Sequence, residues 1–144
     1  MARVASLRRF ARLGWRRQLL AFEAVAALAV AAAAIAMLPF RKAVALGSTP
    51  LRGDGRAGVE ALCWSVKAVS TRVPWRAMCF ERGLALQWML RRRGHDAKLV
   101  YGARLGEEAE LDAHVWVTLD GRILIGGEQA GLFQSLATLP EWPQ

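Results

Sequence analysis

The feature that most constrains this chain is residues 19–40, LLAFEAVAALAVAAAAIAMLPF, a nearly unbroken apolar run whose single charge is Glu23. Such a run has few fates: a secretory signal, a membrane span, or a helix that must find an apolar partner. Six arginines precede it, Arg3, Arg8, Arg9, Arg12, Arg16 and Arg17, and Pro39, Phe40, Arg41 and Lys42 close it. The run is too long for the apolar region of a signal peptide, and no cleavage site follows it. It is long enough to span a bilayer. However, Glu23 interrupts the first turn, the weakly apolar alanine dominates, and charge at both ends leaves orientation poorly specified. The expectation is a long helix, favoured by alanine and ended by Pro39, that packs on the domain or lies on a membrane surface without crossing it. The arginines are equally accounted for by a solvated basic helix face.

The remainder reads as an ordinary mixed domain. At 144 residues and 54% hydrophobic, the chain can bury one real core, which excludes a disordered protein. The formal net charge of +8 favours an acidic partner, either a membrane surface or an acidic peptide. Nucleic acid ranks last, because no zinc-finger spacing, RNP-type aromatic strand or glycine-rich phosphate loop is present. Two cysteines, Cys63 and Cys79, are too few for a disulfide scaffold, and with only two histidines they do not form a metal pattern. A reduced, cytoplasmic setting is expected, with or without membrane association.

Along the chain, residues 1–42 form a basic arm and apolar helix. Residues 43–57, rich in Gly, Ser, Pro and Asp, read as a linker, and residues 58–144 form the core domain. Val59, Leu62, Cys63, Val66 and Val69 recur at helical spacing, so Cys63 reads as a buried small hydrophobe. Pro74 breaks the chain, and a second helix follows, in which Arg91, Arg92 and Arg93 suit the negative end of the macrodipole and Gly94 marks the stop. KLVYGARL, AHVWVTL and RILIG are expected strands, the last two joined across Asp120-Gly121, a hairpin signal. Helices followed by antiparallel strands indicate an α+β fold.

Cys79 opens the second helix, where unpaired N–H groups and positive potential favour a nucleophilic thiolate and can hold an oxyanion. His114 sits on a downstream strand. Either residue alone is more simply structural. Together, a nucleophile at a helix start and a base on a later strand form the layout of papain-like and transglutaminase-like sites. Trp75 and Trp116 are candidates for walls of such a site, with core packing as the alternative, and His95 reads as a solvated turn residue.

The run CFERGLALQWMLRRRGHDAKLVYGARL, the later AHVWVTLDGRILIGGE, the helix ending LPF and the segment VPWRAMC resemble the transglutaminase-like leader peptidases of lasso-peptide biosynthesis. This is the family of the C-terminal domain of the microcin J25 processing protein, and the resemblance runs from about Leu19 onward. It implies a cysteine peptidase that removes the leader from a ribosomally made precursor peptide before a separate ATP-using cyclase closes the macrolactam ring. The family's catalytic Cys and His match Cys79 and His114, and no metal or organic cofactor is implied. Some members carry a fused leader-recognition domain. None is read in the first 57 residues, so a separate leader-binding protein is the implied partner.

One position departs from the pattern. Many members place an Asp twelve residues after the histidine, where this chain has Gly126. A three-residue turn at Leu119-Asp120-Gly121 would pair Gly126 with His114 and bring Glu128 one diagonal step away. Glu128 is therefore the first candidate to orient the imidazole and Asp112 the second, with a water or a backbone carbonyl as further alternatives. Two rival readings belong to other classes: a non-catalytic scaffold of the same fold that binds precursor and cyclase, and a membrane-surface binding module.

Overall fold

The computed structural model describes residues 9–55 and 58–140. Arg3 and Arg8 of the basic arm, and residues 56–57 of the expected linker, lie outside them. From Trp15 onward the described residues run through α1 (Trp15–Met37), α2 (Phe40–Gly47), α3 (Val59–Ser70) and α4 (Cys79–Arg91). They are followed by β1 (Lys98–Leu105), β2 (Leu111–Leu119), β3 (Arg122–Ile125), a single turn α5 (Gly127–Ala130) and β4 (Gln134–Leu139). The strands form one antiparallel sheet in the order β3-β2-β1-β4. The fold is α+β, as expected.

Helix α4 is the centre of the molecule. It packs against α1, α2 and α3 on one side and against β1 and β2 on the other. Leu84, Leu86, Met89 and Leu90 are almost completely withdrawn from water. Gly83 permits the closest approach: a Cβ there would lie 2.8 Å from Leu99 Cδ1 and 3.4 Å from Val115 Cγ2. Gln87, fully buried in the same helix, donates from Nε2 to the Leu139 carbonyl at 2.9 Å, tying α4 to the end of β4.

The alanines of the apolar run explain how α1 joins this core. Ala24, Ala27, Leu28 and Ala31 are 0–3% exposed, and their small side chains seat α1 close against α3 and α4. Glu23 has a partner: Arg93, just beyond α4, grips it with two bonds, Nη1–Oε1 at 2.8 Å and Nη2–Oε2 at 2.6 Å. That contact raises the Arg93 pKa above its ordinary value. The other two arginines of the triplet are also engaged. Arg91 is buried and donates to the Thr49 carbonyl (2.7 Å) and to Asp96 (2.6 Å), and Arg92 lies over the Trp88 ring at 5.0 Å. The triplet is thus a set of structural clamps, and its cations do more than complement the helix dipole.

The expected linker is corrected in part. Its first residues continue helix α2, because Pro39 ends α1 and at once serves as the N-cap of the next helix. By length and composition α1 could cross a membrane, yet a third of its most apolar window is buried inside this fold.

The packing gives a test. Leu28→Ala should lower unfolding free energy by about 2–5 kcal/mol, as for other buried Leu truncations. Val30→Ala, on the outer side, should stay within about 0.5 kcal/mol. Equal, negligible effects in chemical denaturation would show that α1 is not part of the core.

Candidate active site

Cys79 is the first residue of α4, and Met78, the N-cap, offers no side-chain hydrogen bond. The first helical bond runs from Arg82 N–H to the Met78 carbonyl at 3.1 Å. The N–H groups of Cys79, Phe80 and Glu81 therefore lie outside the helical ladder and are available to an anionic oxygen. The thiol is half-buried. Cys63, by contrast, is buried in the apolar face of α3, and burial pushes its thiol pKa up, outweighing the nearby Lys67.

His114 lies on β2 opposite Gly102 of β1. Val115 and Val117 turn toward α4, so by strand alternation His114 and Trp116 face the other side of the sheet. There the imidazole is held between rings, with Phe133 at 5.1 Å and Trp116 at 6.0 Å between centroids. Trp116 in turn lies over Gly102, where a Cβ would come within 2.8 Å of the indole. Strand β3 pairs no further along β2 than Val117. The edge of β2 at Ala113, His114 and Val115 is left uncovered by β3, and a cleft of about 530 Å³ opens there. Cys79 from the helical layer and His114 from the sheet both wall it, together with Met78, Arg82, Asp112 and Glu128. No hydrogen bond joins the thiol to the imidazole directly. Catalytic contacts are often loose without substrate.

The hairpin register differs from expectation. The turn has two residues, Asp120 (φ 49°) and Gly121 (φ 77°), with Leu119 paired to Arg122, and a bulge follows between Thr118 and Val117. Gly126 is therefore not a strand residue opposite His114. It takes φ 80° and turns the chain into α5, and a Cβ there would lie 2.6 Å from the Val115 carbonyl. This turn carries the Gly126 carbonyl to 2.9 Å from His114 Nε2. A carbonyl only accepts, so Nε2 carries the proton and Nδ1 is left as the basic nitrogen.

That bond puts a backbone carbonyl, one of the alternatives named for the orienter, at one ring nitrogen of His114. Glu128 sits exposed on α5 at the cleft wall, and Nε2 of the imidazole is bonded to the Gly126 carbonyl. Asp112, the second candidate, is paired with Arg104 across the strands, at 3.1 Å from Nη2 and 3.2 Å from Nε. Of the two tryptophans, Trp116 stacks on His114. Trp75 packs against the core away from the cleft walls, its Nε1 buried without a partner. His95 is half-buried in the turn after α4. Reading residues in isolation missed Phe133 and, while leaving a backbone carbonyl open as the orienter, did not single out that of Gly126 as the second partner. The signal for the second was the Ile-Gly-Gly at the end of β3, where a glycine permits the left-handed turn.

The protein is thus an α+β domain with a cysteine opening its central helix, a histidine on the adjacent sheet and a cleft that both residues wall. Residues 2–138 match the family described as the transglutaminase-like superfamily, and the chain belongs to that superfamily. No curated protein and no solved structure matched it.

The two thiols should behave differently. At neutral pH iodoacetamide should modify Cys79 of the folded protein and leave Cys63 untouched until denaturant is added. Peptide mapping that finds Cys63 labelled first would contradict this placement.

Proposed function

We propose that this chain is a cysteine peptidase that removes the leader from a ribosomally made precursor peptide, of the kind processed to a lasso peptide. The observation that carries the reading is the cleft shared by a helix-opening cysteine and a histidine whose Nε2 is committed to a carbonyl. In this mechanism Cys79 Sγ attacks the scissile carbonyl while His114 Nδ1 accepts the thiol proton. The tetrahedral oxyanion is met by the free N–H groups at the start of α4. The C–N bond then breaks, His114 returns the proton to the departing amine, and a thioester remains on Cys79. Water, deprotonated by the same imidazole, hydrolyses the thioester and restores the thiol.

The imidazole keeps its orientation through the Gly126 carbonyl and the flanking rings of Phe133 and Trp116. A neutral carbonyl fixes the tautomer but stabilises the transient imidazolium less than a carboxylate would. In the resembling family position 126 often supplies that carboxylate. Here its backbone takes over the hydrogen bond and no side chain is present. The precursor class, a separate leader-recognition protein and an ATP-using macrolactam cyclase as partners rest on the sequence resemblance. The open cleft walled by Cys79 and His114 is compatible with it.

Incubation of precursor peptide with the chain and its leader-binding partner, read by mass spectrometry, tests the proposal. Cys79→Ala and His114→Ala should abolish cleavage, and Cys63→Ala should not. Glu128→Gln should cost less than about tenfold, and Gly126→Ala more than Glu128→Gln, because only the latter leaves the imidazole's hydrogen bond in place. Cleavage that survives Cys79→Ala in a folded protein, or a larger loss at Glu128 than at Gly126, would overturn the assignment. Weak cleavage by the chain alone, rising when the partner is added, is the expected dependence.

A further inference from the structure

The apolar residues of α1 are distributed inside out. In a helix that covers a soluble core, the large apolar side chains face inward and the outer side is polar. Here the inward side is alanine, with Leu28 the one large residue among Ala24, Ala27, Ala31 and Ala34. The opposite side carries Trp15, Leu19, Phe22, Val30 and Met37, each between 48% and 75% exposed. With Ala26 and Ala33 between them, these positions follow one another at steps of three and four, so they form a single stripe along the full length of the helix. Glu23 is the only charge between Arg17 and Arg41, and it is turned away to Arg93.

Cations stand at both ends of this stripe. Arg9, Arg12 and Arg16 are exposed at its start, with the Arg16 guanidinium 5.4 Å from the Trp15 ring. Arg41 and Lys42 are exposed beyond its end. From these observations we infer that α1 is a membrane-surface element, lying in the plane of an anionic bilayer with its Trp15–Met37 stripe in the headgroup and acyl boundary and its terminal cations on lipid phosphates. The inference is independent of the peptidase reading.

The charge pattern selects this occupant. A second copy of the chain laid on the stripe would bring like charges together at both ends, in parallel or antiparallel packing. An anionic surface is complementary to the cations at both ends of the stripe. The packing selects the orientation. A spanning α1 would strip Ala24, Ala27, Leu28 and Ala31 from the core and break the Glu23–Arg93 pair. A helix lying on the surface keeps both, since its two sides serve different partners. The tryptophan at the start, with a cation beside it, suits the interfacial zone.

Flotation of the full-length protein with vesicles tests this. Binding is expected to phosphatidylcholine–phosphatidylglycerol vesicles at low salt, to fall at high salt, and to be weak on pure phosphatidylcholine. The exposed pair Leu19→Glu/Met37→Glu should weaken binding by about tenfold or more, and so should the triple change Arg9→Glu/Arg12→Glu/Arg16→Glu, which lies outside the core and guards against a misfolded stripe variant. Unchanged thermal unfolding of both variants should accompany the loss, and an alkaline carbonate wash should release the bound protein. Absence of flotation by the unaltered protein, or flotation of both variants equal to that of the unaltered protein, would overturn the inference. Retention through carbonate would replace it with a span, and a dimer dissociated by the stripe variant without vesicle binding would replace it with a second copy.

Discussion

The contact on which the structure most depends is the approach of α4 to the sheet at Gly83. One turn after Cys79, this residue brings the helix backbone close to Leu99, Val115 and Val117, and a Cβ there would stand 2.8 Å from Leu99 Cδ1. Val115, the neighbour of His114 on β2, is thereby held against the helix that Cys79 opens. The rest of α4 secures the same geometry from its other sides, through buried Leu86, Met89 and Leu90, the Gln87 bond to β4 and the Arg91 and Arg93 clamps. Because α4 is surrounded, a shift at its start would have to move the core, which is close-packed and resists small displacements.

The second constraint is the end of β3. The strand stops early, Gly126 turns the chain, and two consequences follow from one backbone feature. The edge of β2 is left open as a cleft, and the Gly126 carbonyl reaches His114. Orientation of the imidazole by backbone places the burden on chain geometry where a carboxylate would place it on a side chain. Left-handed φ and the crowding against the Val115 carbonyl restrict position 126 to glycine.

Much of this was legible from residues. The α3 and α4 helices showed in apolar spacing, and β1 matched the expected KLVYGARL over Lys98–Leu105. The α+β order followed from them. Cys79 at a helix start and His114 on a strand were readable for the same reason. Helix α2 was missed because the Gly, Ser and Pro residues after it gave the whole stretch the composition of a loop. Strand β4 was missed because it is an edge whose Leu136 faces solvent, so no buried alternation marks it. The hairpin register was misread because Asp-Gly suits two-residue and three-residue turns alike, and a bulge, invisible in composition, shifts the pairing afterward. The inside-out character of α1 also escaped notice, since a run that is apolar on every side has no periodicity to reveal which side is buried.

The central claim is that Cys79 and His114 act as one unit although no bond joins them in the free protein. The most direct measurement is the iodoacetamide rate at Cys79 at neutral pH, compared between the unaltered chain and His114→Gln, each checked for an unchanged fold. A proton-accepting imidazole should make the unaltered chain react at least about tenfold faster. Equal rates would show that the histidine does not serve the cysteine.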